Sequence, residues 1–133
     1  MNSLDTQKEI QKFSLLKRAQ SFKHAIRGVG LFVKTTHNAW IQICLMICVV
    51  LLGIYFGISH LEWIALIIVG GVVFIAEAIN TAIEIDIDLT SPTYHPYARD
   101  TKDVAAGAVL IAALVAVIVG SLVFIPYVLV MLE

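Results

Sequence analysis

Carboxylate and amide side chains interrupt an apolar stretch in the middle of this 133-residue chain. Glu77, Asn80 and Glu84 follow one another at spacings of three and four residues, and Thr81 and Asp88 extend the series. On a helix this spacing places the side chains along one face. An ionisable side chain at the centre of a membrane helix costs about 2.5 to 3.5 kcal/mol. The row therefore indicates a functional site, with a hydrogen-bonded clamp between helices as the structural alternative.

A second polar stretch follows and contains Tyr94, His95, Lys102 and Asp103. Lys102 offers a cation for phosphate groups and His95 a hydrogen-bond donor, while the preceding carboxylates are able to hold Mg²⁺. Phosphoryl transfer needs cations on the phosphates, a metal ion and an oriented nucleophile. Together the two stretches favour phosphoryl transfer at a membrane surface, although each loop residue taken alone could equally be a solvated side chain.

Soluble enzyme classes do not fit this chain. With 59% hydrophobic and 14% charged residues, it carries more apolar surface than a soluble domain of this size can bury. Gly28 to Thr35 superficially follows a phosphate-binding loop, but Val33 occupies the position of the second required glycine. No zinc-ligand spacing is present, and we expect no nucleic-acid partner.

The elements that would position the polar residues form a single membrane domain over residues 1–133, so the predicted fold class is an all-α membrane protein. Apolar residues at helical spacing among lysines and glutamines predict an amphipathic interfacial helix over 4–34; a soluble docking helix is the alternative there. Three segments are apolar and long enough to cross a bilayer. These predicted transmembrane helices are 40–61, 63–84 and 104–125, with a cytoplasmic loop over 85–103.

The charges indicate how the chain crosses the membrane. Seven of the nine Lys and Arg residues precede residue 35, and the other two are Arg99 and Lys102. Cytoplasmic segments are enriched in Lys and Arg, and three spans place both groups on that side. We therefore expect a multi-pass protein of the cell (inner or cytoplasmic) membrane with a cytoplasmic N-terminus. Three helices alone shield a polar site poorly from lipid, which favours an oligomer.

At these residues the chain resembles the prokaryotic diacylglycerol kinase and undecaprenol kinase family of small membrane kinases. The resemblance extends from about Lys17 to Ile125 and is most specific over 76–84, at Tyr94-His95, and from Lys102-Asp103 to Gly107. It implies three spans, an interfacial helix and a homotrimer with active sites between subunits. It also implies an ATP- and Mg²⁺-dependent kinase that phosphorylates the hydroxyl of a membrane lipid alcohol, undecaprenol or diacylglycerol, in phospholipid and cell-envelope lipid recycling.

The resemblance also implies residue roles. Glu77 would be the general base on the lipid hydroxyl, Asn80 would position the reacting groups, and Glu84 would bind the metal beside the ATP phosphates. The nucleotide contacts implied by the family are Lys17, His24, Glu84, Tyr94, His95, Lys102 and Asp103. The lipid substrate contacts implied in the same way are Asn38, Trp63 and Glu77.

One departure from the family concerns Thr36, which stands where relatives have a second metal-binding glutamate. A threonine hydroxyl is neutral and a weak metal ligand, so we expect lower metal affinity or a catalytically weakened kinase. His95-Pro96 and the segment from Lys102 to Gly107 resemble the undecaprenol branch more than the diacylglycerol branch. The alternative from another class is a non-enzymatic membrane oligomer, a proton or cation pore lined by Glu77 and Glu84.

Overall fold

A computed structural model of the chain describes the backbone of residues 15–133 and the side chains from residue 18 onward. Within this part of the chain every regular element is an α-helix and no strand occurs, which confirms the predicted all-α class. The helices are α1 (Leu15–Thr35), α2 (His37–Phe56), α3 (His60–Thr90) and α4 (Pro96–Leu132).

Three of these helices are long and apolar enough to cross a membrane, as the sequence predicts. Helices α2, α3 and α4 contain 20, 31 and 37 residues, and a span needs about 20. Most of their large apolar side chains remain exposed in the single chain, including Leu51, Ile67 and Leu122. Because lipid is as apolar as these side chains, such exposure is typical of membrane helices.

The connection between α3 and α4 is shorter than the predicted loop over 85–103. Helix α3 continues to Thr90, whose hydroxyl donates to the carbonyl oxygen of Asp86 at 2.7 Å. Helix α4 begins at Pro96, because the fixed φ of proline suits the first turn of a helix. Polar composition was therefore a poor guide to the helix ends. The non-helical connection is 91–95, and every Asp, Lys and Arg of the region 85–103 lies on a helix.

The chain divides into two compact units at Leu31 and Phe32. In the first unit the described residues belong to α1, where apolar Phe22 and Ile26 and basic Lys23 are all exposed. Residues 4–14 of the predicted interfacial helix lie outside the described residues. The location of this helix in the membrane interface stays a prediction.

The turn between α2 and α3 is fixed by local hydrogen bonds. Gly57 ends α2 in the left-handed region, at φ 63°, which glycine adopts without a steric penalty. Ser59 begins α3 with a capping box, because its backbone N–H donates to Glu62 at 2.7 Å and its hydroxyl accepts from the Glu62 N–H at 3.4 Å. The hydroxyl of Tyr127 also donates to Glu62, at 2.9 Å. The Tyr127 bond holds the C-terminal part of α4 against the start of α3.

Gly53 provides the close approach of α2 to α3. A Cβ atom at this position would lie 2.6 Å from Cη2 and 2.8 Å from Cζ2 of Trp63. Trp63 in turn packs against the small buried cluster of Ile58, Leu66 and Val123. The absence of a side chain at Gly53 therefore allows the indole ring to lie against α2.

We expect Gly53→Ala to lower the thermal unfolding temperature in detergent by several degrees. The added methyl group overlaps the Trp63 ring, and overpacking of this kind costs about 1 to 3 kcal/mol. The matched control is Gly71→Ala, where an added Cβ meets no atom within 4 Å. Equal unfolding temperatures for the two variants would contradict the packing of Trp63 against Gly53.

Candidate active site

A polar cavity of about 320 Å³ lies between the start of α2 and the C-terminal half of α3. It brings together five of the residues that the sequence analysis assigned to catalysis, metal binding or lipid binding. These residues are Thr36, Asn38, Glu77, Asn80 and Glu84. The remaining lining residues are Thr35, His37, Thr81, Ile85 and Asp88. The predicted stripe on α3 thus faces the first turn of α2.

Glu77 is the most deeply buried polar residue of the described chain, with 1% of its surface exposed. Its carboxylate accepts a hydrogen bond from Nε2 of Gln42 at 3.4 Å. Burying a carboxylate is unfavourable unless it has polar partners, so this contact across α2 and α3 matters. The sequence analysis did not assign Gln42 to the site. Its signal would have been an amide side chain standing alone in the apolar part of α2.

Two threonines tie the start of α2 to α3. The hydroxyl of Thr81 donates to the carbonyl oxygen of Glu77 at 2.9 Å, and the hydroxyl of Thr36 lies 2.9 Å from that of Thr81. A hydroxyl has one proton to donate, so Thr36 is the donor in the second bond. Thr36 therefore makes a neutral contact between helices at the position where the family pattern has a carboxylate.

Asn80 and Glu84 form a hydrogen-bonded pair one turn apart on α3. Nδ2 of Asn80 donates to Oε1 of Glu84 at 3.0 Å. Oδ1 of Asn80 is buried and has no hydrogen-bond partner in the described structure. The Glu84 carboxylate and the unpaired amide oxygen thus belong to two residues that line the same cavity. Both are hard oxygen ligands of the type that Mg²⁺ prefers.

Lys102 reaches the rim of this cavity through an ion pair. Its Nζ lies 2.9 Å from Oδ1 of Asp88, which lines the cavity, and the pair joins α4 to α3. Because both side chains are at least partly exposed to solvent, the pair contributes little to stability. Asp103 instead pairs with Arg99 on α4, at 3.6 Å.

The other predicted site residues do not line the cavity. Tyr94 and His95 are exposed in the connection before α4, where His95 is the N-cap residue. Trp63 lies 14 residues before Glu77 on α3, or about 21 Å along the helix axis, and packs near Gly53. His24 and the backbone of Lys17 belong to the first unit, and the Lys17 side chain lies outside the described residues.

A second, apolar cavity of about 560 Å³ runs between α2, α3 and α4. Its walls are aliphatic and aromatic side chains such as Leu45, Val73 and Phe124, and Gln42 also lines it. Gln42 is also hydrogen-bonded to Glu77, which lines the polar cavity. The Gln42 side chain therefore stands between the apolar cavity and the buried carboxylate.

Fold and site together define a small helical membrane protein with a buried acidic site. The family model of prokaryotic diacylglycerol kinases matches residues 23–124, and the chain belongs to this family. It is 35% identical over 126 residues to the undecaprenol kinase of Bacillus subtilis, covering 95% of this chain and 98% of that protein. It is 40% identical over 110 residues to the diacylglycerol kinase of a Synechocystis species, covering 80% and 61%.

Another relative is the diacylglycerol kinase of Helicobacter pylori, 31% identical over 107 residues, which cover 74% of this chain and 83% of that protein. These similarities confirm the predicted enzyme class, and the protein is a transmembrane lipid kinase. A lipid kinase acts on a lipid in a membrane setting and needs a phosphoryl donor.

Proposed function

We propose that this kinase transfers the γ-phosphoryl group of ATP to the hydroxyl of a membrane lipid alcohol and that Glu77 is the general base. The observation that carries the proposal is the contact between Gln42, which lines the apolar cavity, and Glu77, which lines the polar cavity. A lipid alcohol likewise has a polar and an apolar part, with one hydroxyl at the end of an apolar chain. The apolar part of the lipid would lie in the apolar cavity, and the lipid hydroxyl would lie at Glu77.

In the reaction, the lipid oxygen attacks the γ-phosphorus of ATP, the bond from phosphorus to the ADP oxygen breaks, and Glu77 accepts the hydroxyl proton. A positioned base typically contributes about 10² to 10⁴ in rate. Glu77 suits this role because its burial excludes water, which would compete with the lipid as phosphoryl acceptor. Asn80, directly between Glu77 and Glu84 on the stripe, would position the reacting groups.

Mg²⁺ is the metal that we propose for the site. This cation is usually held by one or two carboxylates together with substrate phosphates. The Glu84 carboxylate and the unpaired Oδ1 of Asn80 fit that mode, whereas no three His, Cys, Asp or Glu side chains among the described residues are placed to hold a metal ion together. When bound, the metal would neutralise charge on the phosphates.

Thr36 gives the next prediction. Thr36→Glu should lower the Mg²⁺ concentration needed for half-maximal activity, because a further carboxylate would line the cavity and could bind the metal together with Glu84. The same change breaks the hydrogen bond to Thr81, so Thr36→Val serves as the control that breaks it without adding charge. A magnesium titration of wild type and both variants measures the effect. Identical half-maximal concentrations for Thr36→Glu and wild type would show that a carboxylate here does not bind the metal.

We propose that the ATP phosphates extend from Glu84 to the rim, where Lys102 exchanges Asp88 for phosphate oxygens. Tyr94, His95 and Asp103 would contact the rest of the nucleotide. The nucleotide contacts that the resemblance implies for Lys17 and His24 stay predictions. The support for Lys102 is its exposed ion pair at the cavity rim.

Lys102→Met should therefore raise KM for ATP by about tenfold or more, since a charge-assisted hydrogen bond contributes about 1.5 to 3 kcal/mol. KM for the lipid should change little, because the apolar cavity lies away from the rim. Lys102→Arg retains the positive charge and should stay close to wild type. If KM for ATP is the same in Lys102→Met and wild type, Lys102 does not bind phosphate.

Undecaprenol is the lipid that we propose first. The support is the match to the Bacillus subtilis undecaprenol kinase, which covers almost the whole of both chains. The experiment is turnover on undecaprenol and diacylglycerol side by side in the same mixed micelles. A higher kcat/KM for undecaprenol is expected, and a higher value for diacylglycerol would reverse the assignment.

We further propose a homotrimer in the inner (cytoplasmic) membrane, with the N-terminus and the connection 91–95 in the cytoplasm. The segregation of Lys and Arg supports this orientation. The polar cavity on α2 and α3 supports an oligomer, because three helices alone shield a polar site poorly from lipid. Light scattering of the purified protein in detergent should give the mass of three chains, and a monomer mass with full activity would contradict the trimer.

A further inference from the structure

We propose that Gln42 is a positioning residue of the kinase reaction. Its side-chain N–H holds the Glu77 carboxylate, and its side-chain oxygen receives the hydroxyl of the lipid alcohol before proton transfer. This inference rests on the proposed function of Glu77 as the base. It concerns a residue of α2 that lines the apolar cavity, whereas the other proposed reacting groups line the polar cavity on α3.

The orientation of the Gln42 amide follows from its partner. An ionised carboxylate only accepts hydrogen bonds, so the amide nitrogen, not the oxygen, must face Oε2 of Glu77. The contact is 3.4 Å long, which is beyond the usual range for N–H···O bonds. Hydrogen bonds of catalytic groups are often long without substrate and shorten in the substrate complex. Substrate binding is therefore expected to tighten this contact.

A second observation concerns the side-chain oxygen of Gln42. Oε1 of Gln42 is buried and has no hydrogen-bond partner in the described structure. Native structures satisfy almost all buried polar groups, so such an acceptor calls for a donor that the protein itself does not supply. The molecule that enters the apolar cavity supplies it, because the hydroxyl is the donor at the polar end of a lipid alcohol.

In the proposed complex the hydroxyl binds Oε1 of Gln42 on the side of the amide that faces the Glu77 carboxylate. As its oxygen attacks the γ-phosphorus, the O–H bond turns to Glu77 and the proton moves to the carboxylate. The new O–P bond forms while the P–O bond to ADP breaks, and the neutral amide neither gains nor loses a proton. Gln42 thus sets the distance and direction between base and nucleophile.

The test compares Gln42→Leu, which removes both polar atoms, with Gln42→His, whose neutral imidazole has one donor and one acceptor. We expect Gln42→Leu to lower kcat by about 100-fold, the effect of misplacing reacting groups by roughly 1 Å. KM for ATP should remain unchanged, and Gln42→His should recover part of the lost kcat. Cys44→Leu introduces leucine on the exposed face of the same helix and serves as the control.

A purely structural role for Gln42 would instead lower the unfolding temperature and reduce the amount of folded enzyme without changing kcat per folded molecule. Either that result or a kcat of Gln42→Leu within twofold of wild type, with Glu77→Gln inactive, would overturn the role of Gln42. The proposal that Glu77 is the base would stand. The double variant Gln42→Leu/Glu77→Gln should lose no more activity than Glu77→Gln, because both residues act on one proton transfer. Wild-type turnover in Glu77→Gln would instead overturn the proposed base.

Discussion

Replacing Glu77 by glutamine is expected to abolish lipid phosphorylation, with kcat reduced by about 10² to 10⁴. Glutamine has nearly the same shape and can keep a hydrogen bond to Gln42, so the packing of α2 against α3 should survive. What is lost is the proton acceptor. The effect should therefore appear in kcat, measured at saturating ATP and lipid, with KM for both substrates close to wild type.

The matched control for this variant is Asp86→Asn, which neutralises an exposed carboxylate of the same helix outside the cavity. Its activity should equal that of the wild type. Circular dichroism and thermal unfolding of both variants in detergent establish that the helices are intact. A Glu77→Gln enzyme with a kcat within tenfold of wild type would show that another group accepts the proton.

The second large effect is expected for Glu84→Gln. This change removes the carboxylate that we propose binds Mg²⁺ beside the ATP phosphates, while the glutamine oxygen can still accept from Asn80. We expect turnover at ordinary magnesium concentration to fall by about 10²-fold, since preorganised charge at a reacting centre is worth about this much in rate. Because Thr36 provides no carboxylate, the site has little to compensate for the loss.

A magnesium titration at saturating lipid and ATP measures this effect. The half-maximal concentration of Glu84→Gln should rise well above that of wild type. Adding Thr36→Glu to Glu84→Gln should bring it down again, because a carboxylate would return to the cavity. If the titration curves of wild type and Glu84→Gln coincide, Glu84 is not a metal ligand and the proposed phosphate position is wrong.

Much of the fold follows from elementary patterns in the sequence. Long apolar runs predicted three membrane-length helices, and the regular spacing of Glu77, Asn80 and Glu84 predicted their common face. The structure places these three side chains in one cavity. Periodicity succeeded because it reports positions within one helix. Periodicity carries no information about where a helix ends outside the membrane. This is why the observed helices α3 and α4 are longer than the predicted transmembrane segments 63–84 and 104–125.

The contacts between helices could not be predicted in the same way. Nothing in the spacing of α2 and α3 indicates that Gln42 meets Glu77 or that Thr36 meets Thr81, because the register of two packed helices depends on side-chain fit across the interface. The packing of Trp63 near Gly53, far along α3 from the polar cavity, was likewise not indicated by the spacing. The lipid contact that the resemblance implies for Trp63 stays a prediction.

The most direct test of the account is transfer of labelled γ-phosphate from ATP into lipid by the purified wild-type protein in liposomes containing undecaprenol or diacylglycerol. We predict labelled lipid phosphate with wild type and none with Glu77→Gln in the same membranes. The absence of labelled lipid from every lipid alcohol, accompanied by a proton or cation flux that needs no ATP and disappears in Glu77→Gln, would contradict it.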